Sequence, residues 1–320
     1  MPDPPNLNLC SMLSRNLEHC LSFAMELQGH VCRRTDVDPF IGTEAIAAGL
    51  VNRYRLATRY DAVYRGVYVP RGQVLTAPQK ARAAWLWSGR KATLVCVSAA
   101  AMHGSLWIDN RLPAELNQRS QHKTRGIVLH NHALAPDEVE LMHGMPVTTP
   151  ERTAFDLGRR YGRTLAVIRM DALLQATDLK LSDVESLIDR YRGARGVVQL
   201  REVVRLADYG AESPQETRTR LVLTDAGMRP TQTQIDVFTR RGDHVGRIDM
   251  GWPEWRVGVE YDGEHHWTDP RVRARDIDRQ ADLESLGWHI VRVSADMLRC
   301  RPNTVVGRVR TALRSAGAPL

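Results

Sequence analysis

Apolar and polar positions recur with different periods along the chain, and each change of period marks an element. Between residues 9 and 27, Leu13, Leu17 and Leu21 return every four positions, which predicts a helix with one apolar face. Residues 43–50 open with Thr43 as an N-cap candidate and end at the turn residue Gly49, predicting a short helix. A second helix is expected at 52–60, with Arg53, Arg55 and Arg59 spread around it. Val63, Tyr64, Val67, Tyr68 and Val69 then bracket Arg65-Gly66, the composition of a strand–turn–strand. Short helix, glycine turn, basic helix and β-ribbon is the order of a winged helix-turn-helix. In that arrangement the second helix enters the major groove and basic side chains meet phosphates. Arg53, Arg55, Arg59 and Arg65 are therefore candidate DNA contacts; a solvated basic face is the competing reading of the three helical arginines.

In the middle of the chain, residues 93–97 and 127–130 predict strands. Thr149-Pro150 reads as an N-cap followed by proline at the first helical position, starting a helix through Asp156. Further helices are expected at 163–176, at 182–191 and at 197–207; Ser182-Asp183-Val184-Glu185 has capping-box spacing. His130 and His132 alternate along their strand without a carboxylate or third ligand nearby, so a surface or packing role is expected rather than metal binding. No nucleophile constellation, P-loop or Rossmann fingerprint occurs in this segment, and it is expected to pack and connect.

From Ser213 onward the pattern changes again. Ser213-Pro214 opens a helix that Gly227 ends, and strands are expected at 231–238, 245–252 and 256–262. Asp269-Pro270 caps a helix to about Leu286, followed by a strand at 289–293 and a last helix at 304–314. The expected order is α-β-β-β-α-β-α.

Composition bounds the class. A chain of 320 residues suggests two or three domains, and 43% hydrophobic with 25% charged residues is ordinary for a globular protein. The longest apolar run, at 93–102, is far shorter than the roughly 20 residues a bilayer demands, and no signal-peptide pattern opens the chain. A cytoplasmic protein without a membrane partner is expected. The five cysteines (Cys10, Cys20, Cys32, Cys96, Cys300) form no C-x-x-C pair, so reduced thiols are expected rather than disulfides or structural zinc. The net charge is +7, with 40 arginines and four lysines. Residues 201–320 are nearly balanced, 19 Arg against 18 acidic groups. The excess therefore lies in the first 200 residues, and it points to an anionic partner such as a DNA backbone.

The C-terminal third carries the candidate chemistry. Period-two alternation puts Gly258, Glu260 and Asp262 on one face of the third strand, and Val257, Val259 and Tyr261 on the other. In the second strand it groups Ile248 with Met250, and Arg247 with Asp249. A short connection makes the two strands neighbours, so Asp249 and Glu260 project from one sheet face. Such a pair suits Mg²⁺ or Mn²⁺, hard cations that take carboxylate oxygens and can activate water against a phosphodiester. Glu216 is a third acid, at a position that also suits helix capping. His265 and His266 follow the third strand as candidate general acid or base, or as phosphate contacts. On the next helix, Arg275, Asp276 and Arg279 fall near one side, as phosphate binders or as an ion-paired surface.

Two family resemblances rest on these residues. Phe40-Ile41-Gly42-Thr43-Glu44-Ala45-Ile46-Ala47-Ala48-Gly49-Leu50 with Arg65-Gly66-Val67-Tyr68-Val69, continuing through Val97-Ser98-Ala99-Ala100-Ala101-Met102-His103-Gly104 and the stretch from Gly144 to Thr153, resembles the N-terminal region of AbiEi-type antitoxins over roughly 10–160. Arg247-Ile248-Asp249, Val259-Glu260-Tyr261-Asp262-Gly263 with His266, Arg275-Asp276-x-x-Arg279, and the stretch from Leu286 to Val293 resemble the DUF559 group over roughly 210–300. That group is similar to the very-short-patch-repair endonucleases of the PD-(D/E)XK superfamily. The second resemblance implies a restriction-endonuclease-like core and metal-dependent phosphodiester hydrolysis. Asp249 and Glu260 would be metal ligands, Glu216 the helix acid, and Asp262 the residue where the superfamily carries lysine. No lysine follows Lys180, so the water-orienting role would fall to His265, His266, Asp262 or an arginine.

The expected fold is α/β (α+β overall): a winged helix-turn-helix at 1–72, an AbiEi-like α/β segment at 73–208, and a nuclease core at 209–320. The expected function is that of a DNA-binding protein with a Mg²⁺- or Mn²⁺-dependent endonuclease domain. The alternative is an antitoxin-like regulator, with a cognate toxin as partner, whose nuclease fold is inactive.

Overall fold

The computed structural model describes residues 38–119, 124–263 and 270–319, and the side chains of the helix that begins at Pro270 only from Asp276 onward. The helix expected at 9–27, Cys10, Cys20, Cys32, His265, His266 and the Arg275 side chain lie outside the described residues. The described residues divide into two compact units, one within 38–93 and 110–131, the other within 94–109 and 132–319.

The first unit follows the expected order: β1 (Phe40–Ile41), α1 (Gly42–Ala47), α2 (Arg53–Arg59), β2 (Tyr60–Tyr64), β3 (Val67–Pro70), then α3 (Ala77–Trp87). β1 and β2 each pair antiparallel with the central β3. α1 begins one residue before Thr43, so Ile41 stands at its N-cap. α2 is capped by Asn52, whose Oδ1 accepts the Arg55 N–H at 2.8 Å. Gly49 (φ +70°) turns the chain between the helices and Gly66 (φ +82°) between β2 and β3, left-handed conformations that glycine adopts without penalty. Ala45, Val51 and Leu56 are buried against Phe40, Ile46, Tyr60 and Tyr68.

The chain leaves this unit through β4 (Thr93–Leu94), forms α4 (Cys96–Met102), and returns for β5 (Ala114–Asn117) and β6 (Ile127–His130), a parallel pair. The strand expected at 93–97 therefore stops after Leu94. Cys96 has φ +49°, outside the extended region, and the alanine run 99–101 favours a helix.

In the second unit, β7 (Val139–Met142) and β8 (Met145–Thr148) form a hairpin. They lead into α5 (Pro150–Arg160), α6 (Arg163–Ala176), α7 (Leu181–Arg190) and α8 (Val197–Leu206). These helices close on one core that includes Phe155, Leu157, Met170, Leu173 and Leu200. Thr149 caps α5 as expected, accepting the Arg152 N–H. The capping box expected at Ser182 does not form: α7 starts at Leu181, which leaves Ser182 inside the first turn. Arg152, 4% exposed, is held between Glu138 and Asp156, and Asp156 also takes Arg159 and Arg160.

α9 (Pro214–Asp225) packs against α6 through a buried ion pair, Arg220 to Asp171 at 2.6 Å, each 1% exposed. Beyond it come β9 (Gln232–Phe238), β10 (His244–Trp252), β11 (Val257–Asp262), α10 (Pro270–Ser285), β12 (His289–Ser294), α11 (Ala295–Cys300) and α12 (Pro302–Ser315). The sheet order is β12-β11-β10-β9. β9, β10 and β11 are antiparallel neighbours, whereas β12 runs parallel to β11. A parallel return needs a crossover, and α10 supplies it. Leu223, Val305, Val309 and Leu313 cover one cluster with Met250, Val257, Val259, Val291 and Val293. Leu283 and Ile290 pack with Ile235, Val237 and Ile248 in the other.

The two clusters correct one expectation. Ile248 and Met250 do not share a face: Ile248 packs with Ile235 and Leu283, Met250 with Val257 and Val259. The alternation breaks at Asp249. Across the ladder, Gln234 lies between the pairs Ile248–Ile235 and Met250–Thr233 and has φ +49°, a left-handed conformation that is uncommon inside a strand.

Candidate functional site

Three elements, α9, β10 and β11, carry the candidate carboxylates. Glu216 stands in the first turn of α9, where Ser213 Oγ accepts its N–H at 3.2 Å. Its own Oε2 accepts the Glu212 N–H at 2.9 Å and the Gln234 amide at 3.0 Å. The carboxylate thus serves the helix N-terminus, reaching back one residue beyond the N-cap, and its charge also contributes to the raised pKa of Asp249. Burial pushes the Glu216 carboxyl above its ordinary value.

Asp249 sits at the break in β10, and its Oδ2 accepts the Tyr261 N–H at 2.7 Å. Burial pushes this carboxyl up to about 7; the Tyr261 N–H works against the shift, and the negative charges of Glu216 and Glu260 add to it. The Asp249 carboxyl therefore feels the other two charges in surroundings of low dielectric, which disfavour its own charged form.

Glu260, 8% exposed on β11, already has a cation. Arg279 on α10 donates from both Nη1 and Nη2 to its two carboxylate oxygens, each at 2.8 Å. Arg279 also meets Asp276 at 3.3 Å, Asp276 takes Arg292 at 2.9 Å, and Arg292 lies 3.9 Å from Asp262. The result is a row of alternating sign, Glu260–Arg279–Asp276–Arg292–Asp262. The ion-paired reading of the Arg275–Arg279 face thus describes Arg279. Its stem lies over β10 at Gly246, where a Cβ would come within 2.9 Å of Cδ.

Sequence reasoning passed over Arg292, Gly246 and Gln234. For Arg292 a signal existed: Val291 and Val293 are buried, so strand alternation turns Arg292 to the other face, in register with Glu260.

In the first unit, Arg53, Arg55, Arg59 and Arg65 are all exposed on α2 and the β2–β3 turn, and Tyr54 between them is 77% exposed. His130 instead meets Glu115 at 2.6 Å.

The donor set suits a hard divalent cation. It consists of carboxylate oxygens, the donors that such ions take. Asp249 and Glu260 are the residues that would hold the ion, provided that Glu260 is released by Arg279.

Residues 92–206 match the family AbiEi antitoxin C-terminal domain, and residues 221–313 match the family REase_MTES_1575. The first match covers the segment expected to pack and connect, and starts later than the 10–160 stretch whose motifs suggested an antitoxin. The second includes Asp249, Glu260 and Asp262 and begins just after Glu216. Uncharacterized protein MT2308 of Mycobacterium tuberculosis strain CDC 1551 / Oshkosh and Uncharacterized protein Rv2248 of strain ATCC 25618 / H37Rv are each 32% identical over 193 residues, 60% of this chain and 70% of theirs. No solved structure is significantly similar to the chain.

Proposed function

The chain belongs to the family of the Mycobacterium tuberculosis proteins MT2308 and Rv2248, and from that premise we propose that it binds DNA and hydrolyses phosphodiesters at Glu216, Asp249 and Glu260 with Mg²⁺ or Mn²⁺. The family matches join an antitoxin-type domain to an endonuclease-like domain, in a fold that is α+β overall with a restriction-endonuclease-like C-terminal region. The observation that carries the catalytic reading is the placement of Asp249 beside the Glu260 strand: its Oδ2 accepts the N–H of Tyr261, the residue next to Glu260, at 2.7 Å.

A bound divalent cation would supply charge neutralisation for the attacked phosphate and a more acidic water. The chain's own part is orientation. The Tyr261 N–H fixes one Asp249 oxygen, and the Glu212 N–H and Gln234 amide fix one Glu216 oxygen. His265 and His266 are the proposed proton carriers, since Asp262 replaces the superfamily's lysine.

The N-terminal region, 1–72, is proposed as the DNA reader. The β1-β3-β2 order around two short helices supports a winged helix, and Arg53, Arg55, Arg59 and Arg65 supply exposed positive charge. Residues 73–208 are proposed as the antitoxin-like segment and 209–320 as the nuclease core.

The test is nicking of supercoiled plasmid in Mg²⁺ or Mn²⁺ by wild type, Asp249→Ala and Glu260→Ala. Activity in wild type alone supports the enzyme; equal inertness of all three across varied DNA substrates ends that reading. The second reading, an antitoxin-type regulator with an inactive nuclease fold and a toxin partner, is favoured by the neutralising Arg279 on Glu260 and by Asp262. It predicts promoter binding that survives Glu260→Ala.

A further inference from the structure

The proposed metal site contains a cation of its own, and we infer that Arg279 governs metal loading by competing with the divalent ion for Glu260. The inference rests on the metal reading of the cluster. Two nitrogens of a planar fork meet both oxygens of one carboxylate at 2.8 Å, the geometry that makes arginine–carboxylate pairs strong and directional. Glu260 is 8% exposed and the Arg279 side chain 26% exposed, so water screens the pair only in part. The lone pairs that Arg279 occupies are those a metal ion requires.

The neighbourhood gives Arg279 somewhere to go. Asp276, one helical turn earlier on α10, is 3.3 Å from it and is anchored by Arg292 at 2.9 Å. Gly246 leaves the room along β10 that its stem occupies. A DNA phosphate is chemically the same kind of acceptor as Glu260 and takes an arginine fork equally well. An arriving phosphodiester draws the guanidinium off Glu260 and thereby frees the ligand.

The experiment is calorimetric titration of the full chain with Mn²⁺ alone, comparing wild type, Arg279→Gln, Arg279→Lys and Glu260→Gln, each checked for folding by its melting curve. Arg279→Gln is expected to bind at least about tenfold more tightly than wild type, equal to about 1.4 kcal/mol. Arg279→Lys, whose single ammonium cannot span both oxygens, is expected between the two, and Glu260→Gln to bind least. Should Arg279→Gln fail to fold, the lysine variant decides. Equal or weaker binding in the Arg279 variants, with binding still dependent on Glu260, overturns the competition and leaves the metal reading standing. Absence of Mn²⁺ binding from every protein removes both.

Discussion

Replacing Arg220 by methionine separates a buried charge from its partner. Arg220 on α9 and Asp171 on α6 are each 1% exposed, and the guanidinium stands 2.6 Å from Asp171 Oδ2. Asp171 also accepts the Asp208 N–H and the Thr217 hydroxyl, each at 2.8 Å. Burial pushes the Asp171 carboxyl up to about 6 even though Arg220 pulls it down. Methionine keeps much of the apolar stem of arginine and leaves the carboxylate without a counter-charge. Breaking a buried pair on one side costs roughly 3–5 kcal/mol. For a cooperative unit of this size, at about 2–4 °C per kcal/mol, the melting temperature should fall by about 6–20 °C at about pH 8. The sign of the pH dependence follows from the direction of the shift. A carboxyl whose folded pKa is raised costs stability as pH rises through that value, and without Arg220 the shift grows. The deficit of Arg220→Met should therefore shrink at about pH 5, where Asp171 keeps its proton. Thermal unfolding of the full chain by circular dichroism at the two pH values measures both effects. A loss under about 1 kcal/mol at about pH 8, or an identical loss at both pH values, refutes the account of this pair as a buried charge that needs its partner.

Other substitutions probe other links. Asp249→Asn should raise stability at about pH 8 in chelator. The raised Asp249 pKa of about 7 means that the wild type loses up to about 4 kcal/mol between about pH 4 and pH 8, because the folded state holds a proton that the unfolded chain has released; urea titration across that range should show a flatter profile for the variant. Gly258→Val should destabilise by about 1–3 kcal/mol through overpacking, since a Cβ there would stand 2.7 Å from Ile290 Cδ1 and 2.8 Å from Ile248 Cγ2; an unchanged denaturation midpoint would contradict the close strand packing. Arg53→Ala with Arg55→Ala should weaken DNA binding and flatten its salt dependence, because each lost phosphate contact releases fewer counterions; filter binding across a salt series reads both.

Much of the C-terminal core is legible in the chain. The helix from Pro214, the strands around Asp249 and Glu260 and the crossover helix from Pro270 all follow from local signals: a serine cap, turn residues, alternating valines. The sequence also suggests that the acids belong together, because hairpin neighbours and strand period are local properties. What it misjudges is the course of β10 at Asp249. Period-two alternation assumes a regular ladder, and the irregularity at Gln234 depends on how β9 packs beside β10.

The partner of Glu260 is beyond local reading. Arg279 lies 19 positions away on a helix whose rotation is fixed by Leu283 entering the core with Ile235 and Ile248. Only that packing turns Arg279 toward Glu260 rather than toward solvent. The excess charge in the first 200 residues is a property of composition and needs no fold. The alternating row from Glu260 to Asp262 exists only because β12 returns parallel to β11 and sets Arg292 beside Glu260. Sequence determined which charges the protein has and which strands and helices carry them; the tertiary structure decided which charges meet, because pairing distances depend on contacts between segments far apart in the chain.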